Sequence, residues 1–275
     1  MINSIRIEGI KQIAKKAGKA IMEIYNEDYK IKYKDDSSPL TEADKISNNI
    51  ICGFLKKQYP KIPILSEENK EITYLQREKW EYYWCIDPID GTKEFIKKNG
   101  EFTINIALIH KNRPVLGIVY APALELMYYA KQKEGAYLEI FENDILINKR
   151  ELLNKIEPRY ATLNIVASKS HLSAQTQQFI DELSADYGEI KIASKGSSLK
   201  LCMIADGSAD IYPRLAPTME WDTAAADAIV RESGKKVYIY DKNLKASDYL
   251  NIGNTRLKTL LYNKSELLNP YFVVA

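Results

Sequence analysis

Apolar residues at Ile5, Ile10, Ile13, Ala14, Ala17, Ile21 and Ile24 recur near a 3.6-residue period, so the spacing predicts an amphipathic helix over residues 4–27. Ile46, Ile50, Ile51, Phe54 and Leu55 mark a second helix, which ends before Pro60. Between them lies a polar loop at 30–39, preceded by a short strand-like alternation. The pattern then changes to short apolar runs at 62–65, 82–86, 102–110, 115–120, 125–130 and 136–140, which read as strands. Arg113-Pro114 predicts the turn of a hairpin between two of them. Beyond Pro158 strands alternate with helices: a strand at 163–167, a helix at 173–184 and a strand at 190–193. Gly196-Ser197-Ser198 then opens a helix that Gly207 stops, followed by a strand at 209–212, a helix at 222–232 ended by Gly234, and an extended run at 236–240. The whole reads as an α/β (α+β) chain, a layered αβαβα sandwich, with an N-terminal half at 1–155 and a C-terminal half at 156–275 packed as one unit.

Composition narrows the setting. A chain of 275 residues can bury a large core. With 39 Lys+Arg against 37 Asp+Glu the net charge is +2, so no global field draws nucleic acid or a membrane surface, and local charge has to recognise the substrate. Cys52, Cys85 and Cys202 are an odd count without paired spacing, which suits a reducing compartment. No apolar run reaches membrane-spanning length, and residues 1–6 carry no signal-peptide core. The expectation is a cytoplasmic protein, free or attached peripherally at the inner face of the membrane, as a monomer or a homodimer.

The chemistry concentrates in Asp87-Pro88-Ile89-Asp90-Gly91-Thr92, directly after the apolar run Tyr82–Ile86 and before the helix-prone Lys93–Ile96. Pro88 restrains the backbone of Asp87 toward extended geometry, and Gly91 permits a tight turn and close approach of a ligand. Two carboxylates are thereby held in one small space. At about 4 Å such charges repel by roughly 4 kcal/mol at a surface-like dielectric, which a shared proton or a bound cation must offset. The rest of the chain favours the cation. Ser66-Glu67-Glu68 ends another apolar run, Asp222 stands in Trp221-Asp222-Thr223-Ala224-Ala225-Ala226 at a helix start, and Thr41-Glu42-Ala43-Asp44 adds one more acid. Carboxylates, carbonyls and water are the ligands of Mg²⁺. The two histidines, His110 and His171, lie away from these acids and no Cys-x-x-Cys is present, so a zinc site of the usual kind is not expected. Each acid also has a plain structural use: Asp87 and Asp90 as turn and cap residues, Thr41 and Asp44 as a capping box, Glu68 as a solvated neighbour of Glu67.

Glu67-Glu68, the hexapeptide at 87–92 and Trp221-Asp222-Thr223-Ala224-Ala225-Ala226, in that order, resemble the inositol monophosphatase superfamily of Mg²⁺-dependent, lithium-sensitive phosphatases, across nearly the whole chain. Within it the chain is most similar to the bacterial 3'(2'),5'-bisphosphate nucleotidase branch. The resemblance implies a sandwich of the sugar-phosphatase type, with a mobile flap near the site at 30–39. It implies two Mg²⁺ ions held by Glu67, Asp87, the Ile89 carbonyl, Asp90 and Asp222, with Asp44 touching a third, weaker ion. Thr92 and Glu67 would orient the attacking water, and Gly91 and Thr92 would hold phosphate oxygens through their N–H groups.

Substrate choice turns on smaller signals. The inositol-specific branch carries an acid seven residues before the aspartate of Trp-Asp, and here that position is Leu215. Tyr212-Pro213-Arg214 with Pro217-Thr218, and Lys93 after Gly-Thr, are similar to the nucleotidase branch. Arg214, Lys93, Lys195 and Lys200 are candidates for a second substrate phosphate, through charge-assisted hydrogen bonds. Gly196, Ser197 and Ser198 are assigned to the ribose hydroxyls by analogy. The expected reaction is hydrolysis of adenosine 3',5'-bisphosphate, a small phosphorylated substrate, to AMP and phosphate. The competing readings are an inositol or sugar phosphatase with the same metal site, and a non-catalytic phospho-ligand sensor.

Overall fold

The computed structural model describes residues 2–26, 42–69, 71–153, 162–167, 173–251 and 255–275. The 30–39 loop, Thr41 of the expected capping box and His171 lie outside these residues. The first helical pattern gives a 3-10 turn at Ile2–Ser4 and helix α1 at Ile7–Asn26, and the second gives α2 at Glu42–Gln58. Next come β1 (Ile64–Ser66), α3 (Tyr74–Arg77), β2 (Tyr82–Asp90), α4 (Thr92–Ile96), β3 (Thr103–His110), β4 (Arg113–Ala121), β5 (Leu126–Lys131), β6 (Gly135–Glu142) and β7 (Ile145–Glu151). The C-terminal part carries β8 (Thr162–Val166), α5 (Ala174–Tyr187), β9 (Glu189–Ala193), α6 (Leu199–Ala205), β10 (Tyr212–Arg214), α7 (Glu220–Glu232), β11 (Val237–Ile239) and β12 (Phe272–Val274).

Strands β1 to β7 form one sheet in chain order, parallel only between β1 and β2. Several details depart from the sequence reading: the strand expected at 209–212 is β10 at Tyr212–Arg214, β12 was not expected, and two differences lie in the large sheet. The β3–β4 turn is Lys111-Asn112, both left-handed (φ 46° and 64°), the backbone of a two-residue hairpin whose twist matches its strands. Arg113 and Pro114 already belong to β4, opposite His110 and Ile109, where a register shift accommodates the missing proline N–H. Strand β7 was not expected, because its apolar residues are consecutive rather than alternating; all seven of its residues are exposed at the sheet edge.

The pleat sorts the large sheet's side chains into two cores. Trp84, Ile86, Ile104, Ile106, Leu108 and Ile118 pack on one face against α1 and α2. Tyr83, Cys85, Ala107, Ile109 and Val119 pack on the other against α6 and α7. Beyond those helices lie the parallel pair β8–β9 and the antiparallel set β10-β12-β11, which an Ile165–Ile211 bridge joins. Leu163, Ile165, Phe179, Ile180 and Leu183 fill a third core under α5. The layers therefore run helix, sheet, helix, sheet, helix.

Helix α7 lies unusually close to the sheet. A Cβ at Gly117, in mid-β4, would stand 2.1 Å from the Ala225 carbonyl oxygen and 2.8 Å from the Ala228 Cβ. Glycine on the strand and the alanine face of the helix thus fix how deep the helix sits, and with it the side chains of its first turn.

Candidate active site

Strand β2 bends at its proline. Asp87 pairs with Asn105 and Asp90 with Thr103, so three residues on β2 oppose two on β3. This one-residue bulge has a consequence for chemistry: residues three apart in sequence land on the same face of the sheet. Both carboxylates therefore point toward α6 and α7 instead of to opposite sides. Asp87 Oδ1 accepts the Ile89 N–H at 3.1 Å and Ser47 Oγ donates to the Pro88 carbonyl at 2.9 Å, which fixes the bend from within and from α2. Gly91 follows with φ 91°, a left-handed turn that sends the chain into α4 at Thr92.

Asp222 completes the cluster from α7. Carboxylate oxygens of Asp87, Asp90 and Asp222 all lie within 4.8 Å of one another. Asp87 is buried, and burial pushes its carboxyl well above the usual range, reinforced by the charges of Glu67, Asp90, Asp222 and Asp44. Burial followed by repulsion from Asp90 pushes Asp222 up to about 8, although a hydrogen bond from the Met219 N–H opposes the shift. Asp90 is raised mainly by burial, with Lys200 and the Ser198 hydroxyl acting the other way. Glu67 sits half-buried in a 3-10 turn at the end of β1, and Asp44 is buried in the first turn of α2. Five acids thus share one field from four parts of the chain, and the donors are all oxygen. Such a set fits a hard divalent cation such as Mg²⁺ and does not suit a softer metal.

Beside the acids opens a cleft of about 370 Å³, lined by Asp90, Gly91, Lys93, Glu94, Ser197, Lys200, Tyr212, Arg214, Pro217, Thr218 and Asp222 among others. Its lining holds both signs of charge: Asp90, Glu94 and Asp222 with Lys93, Lys200 and Arg214. Burial lowers the Lys200 ammonium and neighbouring Arg214 adds to this, while Asp90 opposes it. Arg214 donates to the Pro217 carbonyl at 3.1 Å, and its Nε is buried without a partner. Ser197 is held at φ 45° with its Oγ likewise buried and unpartnered. Two unpaired polar atoms beside one cleft mark it as a place for a polar ligand.

A sequence profile described as the inositol monophosphatase family matches residues 4–268. The chain belongs to the inositol monophosphatase family. It is 40% identical over 245 residues to the 3'(2'),5'-bisphosphate nucleotidase CysQ of Salmonella typhimurium, covering 88% of this chain and 93% of the relative. The CysQ of Buchnera aphidicola is 41% identical over 233 residues, covering 84% of this chain and 83% of that one. Among solved structures, CysQ from Bacteroides thetaiotaomicron, a bacterial member of the inositol monophosphatase family, superposes with a TM-score of 0.80 at 39% identity, over 97% of this chain and 95% of that one.

In this member of the inositol monophosphatase family, the residues singled out from sequence fall into three places. Asp87, Asp90 and Asp222 converge, with Glu67 and Asp44 in their field. Gly91, Lys93, Ser197, Lys200 and Arg214 line the cleft. Thr92, Gly196, Ser198 and Lys195 are not among its lining residues: Gly196 packs its backbone on Glu101, and exposed Lys195 pairs with Glu101 at 3.3 Å. Ser198 is buried, its Oγ 3.0 Å from Asp90 Oδ2 and 2.6 Å from the Asp222 carbonyl, and it accepts a hydrogen bond from Asn105 Nδ2 at 2.9 Å. The single hydroxyl proton serves one of the two oxygens at a time, so Ser198 ties β2 to α7. Asn105, Thr103 and Ser47 were not foreseen. Asn105 had a signal, a lone amide in the otherwise apolar run Ile104–Ile109.

Proposed function

We propose that this chain is a Mg²⁺-dependent phosphatase that removes the 3'-phosphate of adenosine 3',5'-bisphosphate, giving AMP and phosphate. The carrying observation is one cleft that Asp90 and Asp222 of the three converged carboxylates line together with the cations Lys200 and Arg214. That combination suits a substrate with two phosphates, and the curated relatives carry the nucleotidase name. Leu215 supports the choice: it is buried among Leu163, Ile165 and Phe179, so no side chain at that position is available to a ring hydroxyl.

Glu67, Asp87, the Ile89 carbonyl, Asp90 and Asp222 would hold two Mg²⁺ ions, with Asp44 toward a third. Bound there, Mg²⁺ supplies positive charge that acidifies a water and neutralises phosphate oxygens. The residues then have separable tasks. Glu67 takes the proton of the attacking water, and the Thr92 hydroxyl orients that water. The N–H groups of Gly91 and Thr92 hold the phosphate being cleaved. Lys200 and Arg214, with Lys93 at the rim, hold the second phosphate, and Ser197 offers its spare hydroxyl to the sugar. Ser198 and Asn105 keep Asp90 aimed. The water oxygen bonds to phosphorus as the bond from phosphorus to the ribose 3'-oxygen breaks, and that oxygen takes up a proton from solvent. The two halves act as one unit, since the carboxylates come from both.

A phosphate-release panel tests this reading. Adenosine 3',5'-bisphosphate is expected to be preferred over inositol 1-phosphate and fructose 1,6-bisphosphate, with release lost in EDTA; preference for either sugar overturns the substrate assignment. Arg214→Ala should raise KM for the bisphosphate by about 10- to 100-fold, a loss of about 1.5–3 kcal/mol for a hydrogen bond to a charged group. The KM for a nucleoside 3'-monophosphate should stay nearly unchanged, and an equal loss on both would remove Arg214 from the second-phosphate site.

The raised carboxyls also predict how pH and Mg²⁺ act together. Without metal, the folded chain keeps protons on these acids that the unfolded chain releases above about pH 4. The folded state then binds more protons, so stability falls as pH rises from about 4 toward 8, by on the order of 1 kcal/mol per pH unit for each retained proton. Mg²⁺ displaces those protons and is stabilising most where they are already leaving. Melting in EDTA and in excess Mg²⁺ at pH 6 and pH 8 checks this: the metal-induced rise in Tm should be larger at pH 8, and an equal rise contradicts proton release from the cluster.

A further inference from the structure

Helix α7 presents Asp222 from its first turn, the part of a helix whose N–H groups lack helical partners and which is most easily displaced. Two residues earlier stands Glu220, a carboxylate with 0% exposure. Its oxygens accept from the N–H groups of Asn263 at 2.7 Å and Lys264 at 3.0 Å, from Lys264 Nζ at 2.6 Å and from Tyr83 OH at 3.3 Å. A buried carboxylate carries a large desolvation cost unless paired and hydrogen-bonded, and here every contact but the tyrosine comes from one chain segment. That segment is itself anchored: buried Arg77 donates to the Asn263 Oδ1 at 2.9 Å and to the Lys264 and Ser265 carbonyls at 2.6 and 2.9 Å.

From this anchor the bonds run on to Asp222. Lys264 Nζ donates to Asn269 Oδ1 at 3.1 Å. Asn269 Nδ2 donates to the Met219 carbonyl at 2.8 Å and reaches Thr218 Oγ1 at 3.3 Å and Thr223 Oγ1 at 3.0 Å. The Met219 N–H in turn donates to Asp222 Oδ2 at 2.8 Å. The Asn269 N–H holds the Thr218 carbonyl at 2.8 Å, and the Glu220 N–H donates to the Leu267 carbonyl at 3.0 Å. Both oxygens of Glu220 are taken up by this segment and Tyr83, while Asp222 is in the acidic cluster.

We propose that Glu220, Lys264 and Asn269 form a clamp that positions Asp222, and with it the Pro217-Thr218 wall of the cleft, for cation binding. The proposal rests on reading Asp222 as a metal-holding carboxylate. Glu220 is a positioning residue: it acts through Met219 and the helix start. Substitutions in such supporting hydrogen bonds typically cost 10- to 100-fold in metal affinity.

The test is Mg²⁺ titration of the full chain, stripped of metal, by calorimetry, alongside melting and steady-state kinetics. Glu220→Gln and Asn269→Ala are expected to weaken Mg²⁺ binding at least tenfold, and raising Mg²⁺ should restore most of kcat with KM for the nucleotide little changed. Asp227→Asn is the control, because Asp227 is equally buried on the same helix but pairs with Arg231 at 2.8 Å, toward its far end. It should lower Tm and leave the Mg²⁺ Kd within twofold. If Asn269→Ala and Glu220→Gln lower Tm without weakening Mg²⁺ binding, or if Asp227→Asn weakens it equally, the clamp is merely structural and the proposal fails. Should Glu220→Gln not fold, Asn269→Ala and Lys264→Met decide by the same criterion. Absence of Mg²⁺ binding in the unsubstituted chain overturns the metal reading together with the clamp.

Discussion

Asp90→Asn is expected to lower phosphate release by at least about a thousandfold while leaving the metal-free chain as stable as before, or more so. The two effects have one cause. Asp90 lies in a buried field with Asp87 and Asp222, whose carboxyls are raised first by burial and then further by the charge of Asp90 among others. The amide keeps the shape and can still accept from Ser198 Oγ at its oxygen, where the carboxylate now does at 3.0 Å. It removes one of the repelling charges, so folding without metal becomes easier. The same charge is what a cation requires. Metal stabilisation of a phosphoryl-transfer transition state amounts to several kcal/mol, and each 1.36 kcal/mol is a factor of ten in rate. Release assays with Mg²⁺ and melting in EDTA read both. Activity within tenfold of the unsubstituted chain would falsify the role given to Asp90.

Gly117→Ala is the second large effect, on a residue outside the cleft. The new methyl carbon would meet a backbone oxygen at 2.1 Å, and that oxygen belongs to Ala225 in mid-helix and cannot swing aside. Overpacking of a tight core costs about 1–3 kcal/mol, and a backbone clash belongs at or above the upper end. Relief requires lifting α7 from β4, which carries Asp222 away from Asp87 and Asp90. Denaturant unfolding should show a loss of about 3 kcal/mol or more, with weakened Mg²⁺ binding in whatever remains folded. A loss under about 1 kcal/mol would mean that the helix does not sit where its closeness to Gly117 requires.

Much of this architecture is legible in the chain because its causes are local. The period of Ile10, Ile13, Ala17 and Ile21 is the buried face of α1, and Ser173, Gly207 and Gly234 punctuate the second half as capping and stop residues do. The acids were legible as a set, since Asp87 and Asp90 flank a proline and Asp222 opens a helix. What brings them together was not. The bulge that turns Asp87 and Asp90 to one face is a property of pairing with β3, and β2 runs to Asp90 where the apolar run stops at Ile86. The hairpin turn fell two residues early because Lys111-Asn112 adopts the left-handed pair that sequence more often signals with glycine. Glu220 and Asn269 were invisible because most of their partners lie 43 to 51 residues away, with Tyr83 137 from Glu220, and nothing near them in sequence marks a buried polar side chain; Asn105, 93 residues from Ser198, at least stands alone among apolar residues. Asn263 shows this from the other side. It stands in a glycosylation-type triplet, yet it is buried and bonded to Arg77.

Most of the proposed chemistry depends on far-apart carboxylates converging to hold cations. Crystals grown with Mn²⁺ in place of Mg²⁺, read by anomalous scattering, address it without relying on turnover. Two strong peaks are expected among Asp87, Asp90, Asp222 and Glu67, within bonding distance of their oxygens. A map with no peak there, and with those carboxyls paired to each other through shared protons, would contradict it.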